Sequence, residues 1–128
     1  MPHKPAGYTS VAPYLTVNGA RRTIDFLVEV FDAQPLRMIP GEEGRIAHGE
    51  VRIEGTVVML TDAQPEWPAN PANVHVYVPD VDAVHARALA AGATEIQAPV
   101  QKDDPDRRGG FRDAGGTTWW VSTQIDGE

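Results

Sequence analysis

The sequence contains no cysteine, which excludes disulfide bonds, thiolate metal sites and cysteine nucleophiles. It also lacks an apolar run near the roughly 20 residues needed to cross a bilayer, and its first residues lack the apolar block of a signal peptide. Lysine and arginine number 11 against 18 aspartates and glutamates, for a net charge of −7. Phosphate binding needs basic patches. These absences predict a soluble, cytoplasmic protein that binds neither nucleic acid nor membranes.

Motifs of several common enzyme classes are missing as well. The chain has no phosphate-binding glycine loop, no serine nucleophile elbow, no His-Glu-x-x-His zinc motif and no calcium loop. Its 128 residues are enough for a hydrophobic core but too few for two independent domains. We therefore predict a single domain over residues 1–128.

Two stretches of the chain match each other. Gly55–Thr61 reads G-T-V-V-M-L-T and Gly116–Ser122 reads G-T-T-W-W-V-S, at an offset of 61 positions. The same offset aligns Tyr14 with His75, at the start of each half. Agreement at both ends predicts a duplicated unit that shares one core.

Residue patterning predicts the same order of elements, strand, helix and three strands, in both halves. In the first half, Asn18 is the predicted N-cap of a helix with an apolar stripe. That stripe is Ile24, Leu27, Val28 and Phe31, and the strands are Ser10–Val17, Pro35–Ile39, Arg45–Glu54 and Thr56–Thr61. In the second half, Asp80 caps the helix and Gly92 ends it. The strands there are Val74–Val78, Thr94–Ala98, Gly110–Asp113 and Thr117–Thr123.

The remaining segments are predicted to be irregular. Residues 1–8 contain two prolines and a glycine, and they are expected to form a frayed start. Gln101–Arg108 carries both signs of charge, which favours a solvated hairpin loop over a lid. His85, flanked by alanines on the second helix, is expected to be partly exposed and inert.

The second half carries a resemblance to a known family. V-H-V-Y-V-P-D-V-D-A-V-H-A-R-A-L-A-A-G-A and F-R-D-A-G-G-T-T-W-W-V resemble the vicinal oxygen chelate superfamily of glyoxalase I, extradiol dioxygenases and bleomycin-resistance proteins, over residues 9–124. The resemblance implies an α+β fold of two βαβββ modules, at about 9–62 and 74–124 with a connector at 63–73. The modules would form a curved eight-stranded cup with helices outside and the ligand inside. It also implies a homodimer.

Metalloenzymes of this superfamily take their ligands from the first and last strands of each module. Carried over residue by residue, the resemblance places Ala12, Met59, Asn73 and Trp120 at those positions. Alanine, methionine and tryptophan cannot serve as ligands for a hard metal, and asparagine is a poor one. The resemblance therefore implies a chain without the usual metal site and without a cofactor. A shift of two residues near Pro13 would instead place Tyr14 and His75 there.

Strand alternation selects the side chains that would line the cup. Trp119 in the second half, and Val58 and Leu60 in the first, are expected to pack beneath the helices. Trp120 is expected on the opposite face of its strand. The predicted ligand-binding residues are Tyr14, His48, Glu50, Arg52, Met59, His75, Tyr77 and Trp120. Aromatic walls with a few polar groups are typical of small-molecule pockets. The aromatic rings alternatively fill the cup themselves.

Three functions agree with this lining. The first is metal-independent binding, similar to that of bleomycin-resistance proteins, of a small aromatic or cationic molecule, with no catalytic residue. The second is a metal-dependent lyase or dioxygenase that uses His48, His75 and Glu50 as a displaced site of two histidines and one carboxylate. The third is an enzyme without metal, in which His48 or His75 moves a proton. Trp67 either folds over the mouth of the cup or fastens its loop to the body.

Overall fold

The computed structural model describes residues 2–126, which divide into two compact units between Asn70 and Pro71. Each unit has one α-helix packed on one four-stranded sheet. The α+β class and the predicted βαβββ order are therefore confirmed. The joining of the two sheets into one cup, and the single domain, stay predictions. No helix within residues 2–126 is long and apolar enough to cross a membrane.

The first unit has its strands in the order β1-β4-β3-β2. Strands β1 and β4 are parallel, and the other neighbours are antiparallel. A short 3-10 turn, Glu42–Gly44, separates the second and third strands. The elements are β1 (Tyr14–Val17), α1 (Ala20–Phe31), β2 (Gln34–Pro40), β3 (Ile46–Ile53) and β4 (Thr56–Asp62).

The second unit repeats this arrangement, with its strands in the order β5-β8-β7-β6. Its elements are β5 (Ala72–Tyr77), α2 (Val81–Ala90), β6 (Thr94–Gln101), β7 (Asp106–Arg112) and β8 (Thr117–Gln124). Tyr14 pairs with Met59 in the first sheet, and His75 pairs with Trp120 in the second. Both members of the second pair lie 61 positions after those of the first. The offset found in the sequence is thus also the offset of strand pairing.

The predicted faces of the last strands are confirmed. Val58 and Leu60 are at most 2% exposed, and Trp119 is fully buried. Phe111, which pairs with Trp119 across β7 and β8, meets the His85 ring of α2 with ring centroids 5.7 Å apart. Trp119 therefore lies on the helix side of its sheet, where its large apolar ring stabilises the unit.

The start of α1 differs from the prediction. Its N-cap is Gly19, in the left-handed region at φ +83°, and no side chain of the cap accepts a hydrogen bond. The Asp62 carboxylate at the end of β4 instead accepts from the backbone N–H groups of Gly19 and Ala20, at 3.0 and 2.8 Å. A carboxylate also suits the positive end of the helix dipole. The prediction that Asn18 caps this helix is wrong.

The apolar stripe of α1 is also rotated slightly from the predicted one. Ile24, Leu27 and Phe31 are buried as expected, but Val28 is 37% exposed. Phe26 and Val30 are buried in its place. The helix turns its wider apolar face to the sheet, which leaves Val28 at the edge.

The charged segment Gln101–Arg108 is a loop only in its middle. β6 runs to Gln101 and β7 begins at Asp106, so that only residues 102–105 connect them. Asp106 is 7% exposed and accepts from Tyr77 at 2.7 Å and from Arg108 at 3.2 Å. The Asp106 carboxylate can be buried because it has hydrogen-bond partners, whereas an unpaired carboxylate would have to stay in water. The solvated hairpin loop is therefore confirmed for residues 102–105 alone, and the lid stays a prediction.

His85 is likewise more buried than predicted. It is 4% exposed, and its Nε2 lies 2.8 Å from Glu95 Oε2. Gly109 on β7 leaves room for the ring, since a Cβ there would lie 2.9 Å from His85 Nδ1. The imidazole also links α2 to β6 through Glu95.

Asp113 organises the turn that leads into β8, where it is 5% exposed. Its Oδ1 accepts from the backbone N–H groups of Gly115 at 2.9 Å and Thr117 at 3.1 Å. Its Oδ2 accepts from the Trp119 indole N–H at 2.8 Å. One carboxylate therefore accepts hydrogen bonds both from the backbone of the turn and from a buried indole.

We expect Asp113→Ala to lower the free energy of unfolding by about 2–4 kcal/mol, because it leaves these donors without an acceptor. Urea denaturation measures the loss. Asp103→Ala is the matched control, since Asp103 is exposed, and should stay within about 0.5 kcal/mol of the unmodified protein. Equal losses in the two variants would contradict this role.

Candidate functional site

Four side chains in the first unit form one chain of hydrogen bonds. The Tyr8 hydroxyl donates to Glu50 Oε1 at 2.5 Å. The other carboxylate oxygen, Oε2, lies 2.7 Å from His48 Nε2. His48 Nδ1 lies 2.9 Å from the Tyr14 hydroxyl. These hydrogen bonds thus connect the N-terminal segment to β1 through β3.

Strand register places three of these side chains together. His48 and Glu50 lie two residues apart on β3 and so project from one face of the sheet. Glu50 pairs with Met59 on β4, and Met59 pairs with Tyr14 on β1. Arg52, two residues after Glu50 on β3, has the same parity, so five of the predicted site residues share one face in the first unit.

Glu50 is 1% exposed, yet its environment favours the charged form. Burial acts to raise the pKa of its carboxyl, but hydrogen bonds from Tyr8 and His48, with the charges of His48 and Arg37, outweigh burial and lower it. The hydrogen bond to Glu50 in turn raises the pKa of the Tyr8 hydroxyl. Glu50 is therefore an ionised acceptor and Tyr8 a protonated donor.

When the His48 imidazole is neutral, these protonation states fix the direction of every hydrogen bond from Tyr8 to Tyr14. An ionised carboxylate only accepts hydrogen bonds, so His48 must donate from Nε2. The Nδ1 of a neutral imidazole then carries no proton and accepts from the Tyr14 hydroxyl. Such a chain can hold Tyr14 in place, and it can also pass a proton from Tyr14 to His48.

Tyr8 is a residue that the sequence reasoning missed, because residues 1–8 were predicted to be frayed. Arg52 lies on the same face of β3 as Glu50, as predicted, and it fixes the N-terminal segment. Its Nη2 donates to the Gly7 carbonyl at 3.1 Å, and its Nη1 donates to Gln34 Oε1 at 3.2 Å. No local pattern signals these contacts, since they join residues far apart in the chain.

A cavity of about 320 Å³ opens beside Tyr14 in the first unit. Two of its walls are aromatic and accessible, since Tyr14 is 53% and Trp67 69% exposed. Trp67 is held by a turn in which the backbones of Gln64 and Trp67 exchange two hydrogen bonds of 2.9 Å. The cavity is lined by Tyr14, Thr16, Thr61, Asp62, Gln64 and Trp67. Of these, only Tyr14 was among the predicted binding residues.

The second unit contains a separate network on the sheet face away from α2. Ser122 Oγ lies 2.9 Å from His75 Nε2 and accepts from Arg108 Nε at 3.0 Å. Burial, and then the charge of Arg108, lowers the pKa of His75 in spite of Asp106. Asp104 and Asp106 each accept from Arg108 at 3.2 Å. The arginine charge is therefore balanced within the unit.

Trp120 and Asn73 bond each other in the second unit. The indole N–H of Trp120 donates to Asn73 Oδ1 at 3.0 Å. The ring lies so close to Gly110 that a Cβ there would be 2.5 Å from Trp120 Cζ3. Two of the four positions that the resemblance gives to metal ligands are thus occupied by one amide–indole pair.

The residues present do not fit a metal centre of the usual kind. Ala12 precedes β1 and Met59 lies between Tyr14 and Glu50, and neither side chain ligates a hard metal. No three histidine, aspartate or glutamate side chains of residues 2–126 are grouped to hold a metal ion. Both ring nitrogens of His48 are already hydrogen-bonded. A displaced site built on His48, His75 and Glu50 is therefore not favoured.

Known proteins resemble the chain in sequence. Residues 7–121 match the Glyoxalase/Bleomycin resistance protein/Dioxygenase superfamily. Uncharacterized proteins of Mycobacterium bovis and Mycobacterium tuberculosis are each 37% identical over 127 residues. Those matches cover 91% of this chain, and 84% and 75% of the two relatives.

Solved structures resemble the fold. TioX from Micromonospora sp. ML1 is 27% identical with a TM-score of 0.77, and the match covers 91% of this chain and 99% of TioX. TnmS3, an antibiotic binding protein from Streptomyces sp. CB03234, is 23% identical with a TM-score of 0.68 and the same coverage. A glyoxalase/bleomycin resistance protein from that strain is 27% identical with a TM-score of 0.66, over 88% of this chain and 98% of that one.

The direction of the hydrogen-bond chain predicts that neutral His48 carries its proton on Nε2. Long-range proton–nitrogen correlation spectra of the imidazole rings distinguish the two tautomers. His85 is an internal reference for the same tautomer, because its Nε2 also faces a carboxylate, that of Glu95, at 2.8 Å. A proton on Nδ1 of neutral His48 would show that the chain runs the other way.

Proposed function

Because the chain belongs to the Glyoxalase/Bleomycin resistance protein/Dioxygenase superfamily, we propose that it binds and sequesters a small aromatic or cationic molecule without a resident metal. The cavity beside Tyr14 is the proposed binding site. The observation that carries the proposal is the pair of exposed aromatic rings, Tyr14 and Trp67, on the walls of that cavity.

Exposed aromatic rings supply binding energy for a flat ligand. A ligand that covers them removes apolar surface from water, at about 25 cal/mol per Å². Aromatic pairs add roughly 0.5–1.5 kcal/mol beyond the area that they bury. Aromatic rings at a cavity mouth therefore favour a ligand with an aromatic body.

The charge of the cavity favours a cation over an anion. Asp62 is the ionisable carboxyl residue among the lining side chains, and the lining contains no lysine or arginine. The chain as a whole carries a net charge of −7, which attracts cations to its surface. A cation over the Tyr14 or Trp67 ring gains a further 0.5–2 kcal/mol or so.

Glu50 supports the proposed site from behind. Its carboxylate is 1% exposed, so that it reaches a ligand only through His48 and Tyr14. The polar network of the second unit is satisfied internally, and contact of His75, Tyr77 or Trp120 with a ligand stays a prediction. The homodimer and the cytoplasmic location also stay predictions.

The solved structures support the proposal at the level of the fold. TnmS3 is an antibiotic binding protein, so an architecture of this kind is used for small-molecule binding. At 23% identity this similarity supports a shared fold, and it does not identify a ligand for this chain. The ligand class must come from the residues of the cavity.

We expect Trp67→Ala to weaken binding of 1-naphthylmethylammonium, a probe that is both aromatic and cationic, about 5- to 30-fold. NMR titration measures the affinity. Trp67 is 69% exposed, so the substitution should leave the fold intact. Val11→Ala is the control, since Val11 is 83% exposed and lies outside the lining. Unchanged affinity in Trp67→Ala would contradict the proposed site.

A further inference from the structure

We propose that the chain Tyr8–Glu50–His48–Tyr14 sets the specificity of the cavity by presenting the Tyr14 hydroxyl as a hydrogen-bond acceptor alone. The cavity then selects ligands that donate a hydrogen bond, such as an aromatic amine or N–H heterocycle. This inference rests on the proposed function and adds the polarity of the ligand to it. Glu50 and Tyr8 are positioning residues, because they act through His48.

The first step is the proton of Tyr14. A tyrosine hydroxyl has one proton to donate. His48 Nδ1 lies 2.9 Å from that hydroxyl, and in the neutral imidazole it is unprotonated, because the single ring proton is on Nε2, which faces Glu50 at 2.7 Å. The Tyr14 proton is therefore directed at His48, and only lone pairs remain for a ligand.

The second step is that the remaining polar groups of the cavity include both donors and acceptors, so they do not by themselves select the polarity of the ligand. Thr61 Oγ1 donates its proton to the Ala47 carbonyl at 2.8 Å, which again leaves lone pairs. The Asp62 carboxylate already accepts three backbone N–H groups and offers no proton. The same lining also contains side chains with N–H or O–H groups that can donate, those of Thr16, Gln64 and Trp67. The Tyr14 hydroxyl is therefore the group whose polarity distinguishes ligands, because a ligand atom that only accepts is left unpaired there, at a cost in affinity.

The third step is that the carboxylate of Glu50 determines the direction. Its Oε1 is held by Tyr8 at 2.5 Å and its Oε2 faces His48. A glutamine of the same shape would keep its oxygen on the Tyr8 hydroxyl and turn its NH₂ group to His48 Nε2. His48 would then donate from Nδ1 to Tyr14, and the Tyr14 proton would turn toward the cavity.

Two bicyclic aromatic probes of similar size test this polarity. Indole donates one N–H, whereas quinoline only accepts, at its ring nitrogen. Their dissociation constants are measured by NMR titration for the unmodified protein, Glu50→Gln and Tyr14→Phe, each shown to be folded by its proton–nitrogen spectrum. Tyr14→Phe is the matched control, because it keeps the ring and removes the hydroxyl.

In the unmodified protein, indole should bind about three- to tenfold more tightly than quinoline. Glu50→Gln should reverse this order, and Tyr14→Phe should bring the two affinities within about twofold. If both probes bind the unmodified protein equally, the proposed function stands and this inference is wrong. If neither binds, both are wrong. A preference for indole that survives in Tyr14→Phe also overturns the inference, and this comparison decides the matter even if Glu50→Gln does not fold.

Discussion

The buried Glu50 carboxylate is the interaction on which the arrangement of the first unit depends. At 1% exposure an unpaired carboxylate would be very costly. Tyr8 and His48 supply one hydrogen bond to each of its oxygens. Satisfying this charge therefore brings an N-terminal residue onto the sheet, orients the imidazole, and through it holds Tyr14 at the cavity. One buried charge thus connects the stability of the unit to the chemistry of its site.

The two halves of the duplication have diverged at the corresponding position. Glu50 pairs with Met59 in the first sheet, whereas Gly110 pairs with Trp120 in the second. A carboxylate is accommodated in one unit by polar partners, and a glycine in the other makes room for an indole ring. The same βαβββ frame thereby carries a polar chain in one half and an aromatic surface in the other. Neither arrangement supplies the ligands of a metal centre.

Local patterning predicted the features that depend on neighbouring residues. The order of elements, the Asp80 cap, which accepts from Ala83 N–H at 3.1 Å, and the opposite faces of Trp119 and Trp120 all follow from periodicity and turn residues. Features that depend on distant partners were missed. Asp62 replaces the expected cap of α1 from 42 residues away, and Tyr8 reaches Glu50 over the same separation. Of the cavity, Tyr14 was among the predicted binding residues and Trp67 was one of two alternatives, while the other lining residues have no pattern of their own.

The central claim is that the cavity beside Tyr14 and Trp67 is the binding site. Chemical-shift mapping with indole on nitrogen-labelled protein tests it most directly. We expect the largest changes at the Trp67 indole N–H and at the backbone amides of Tyr14 and Thr61. Changes centred on Trp120 and Tyr77, with Trp67 unmoved, would place binding in the second unit and contradict the account.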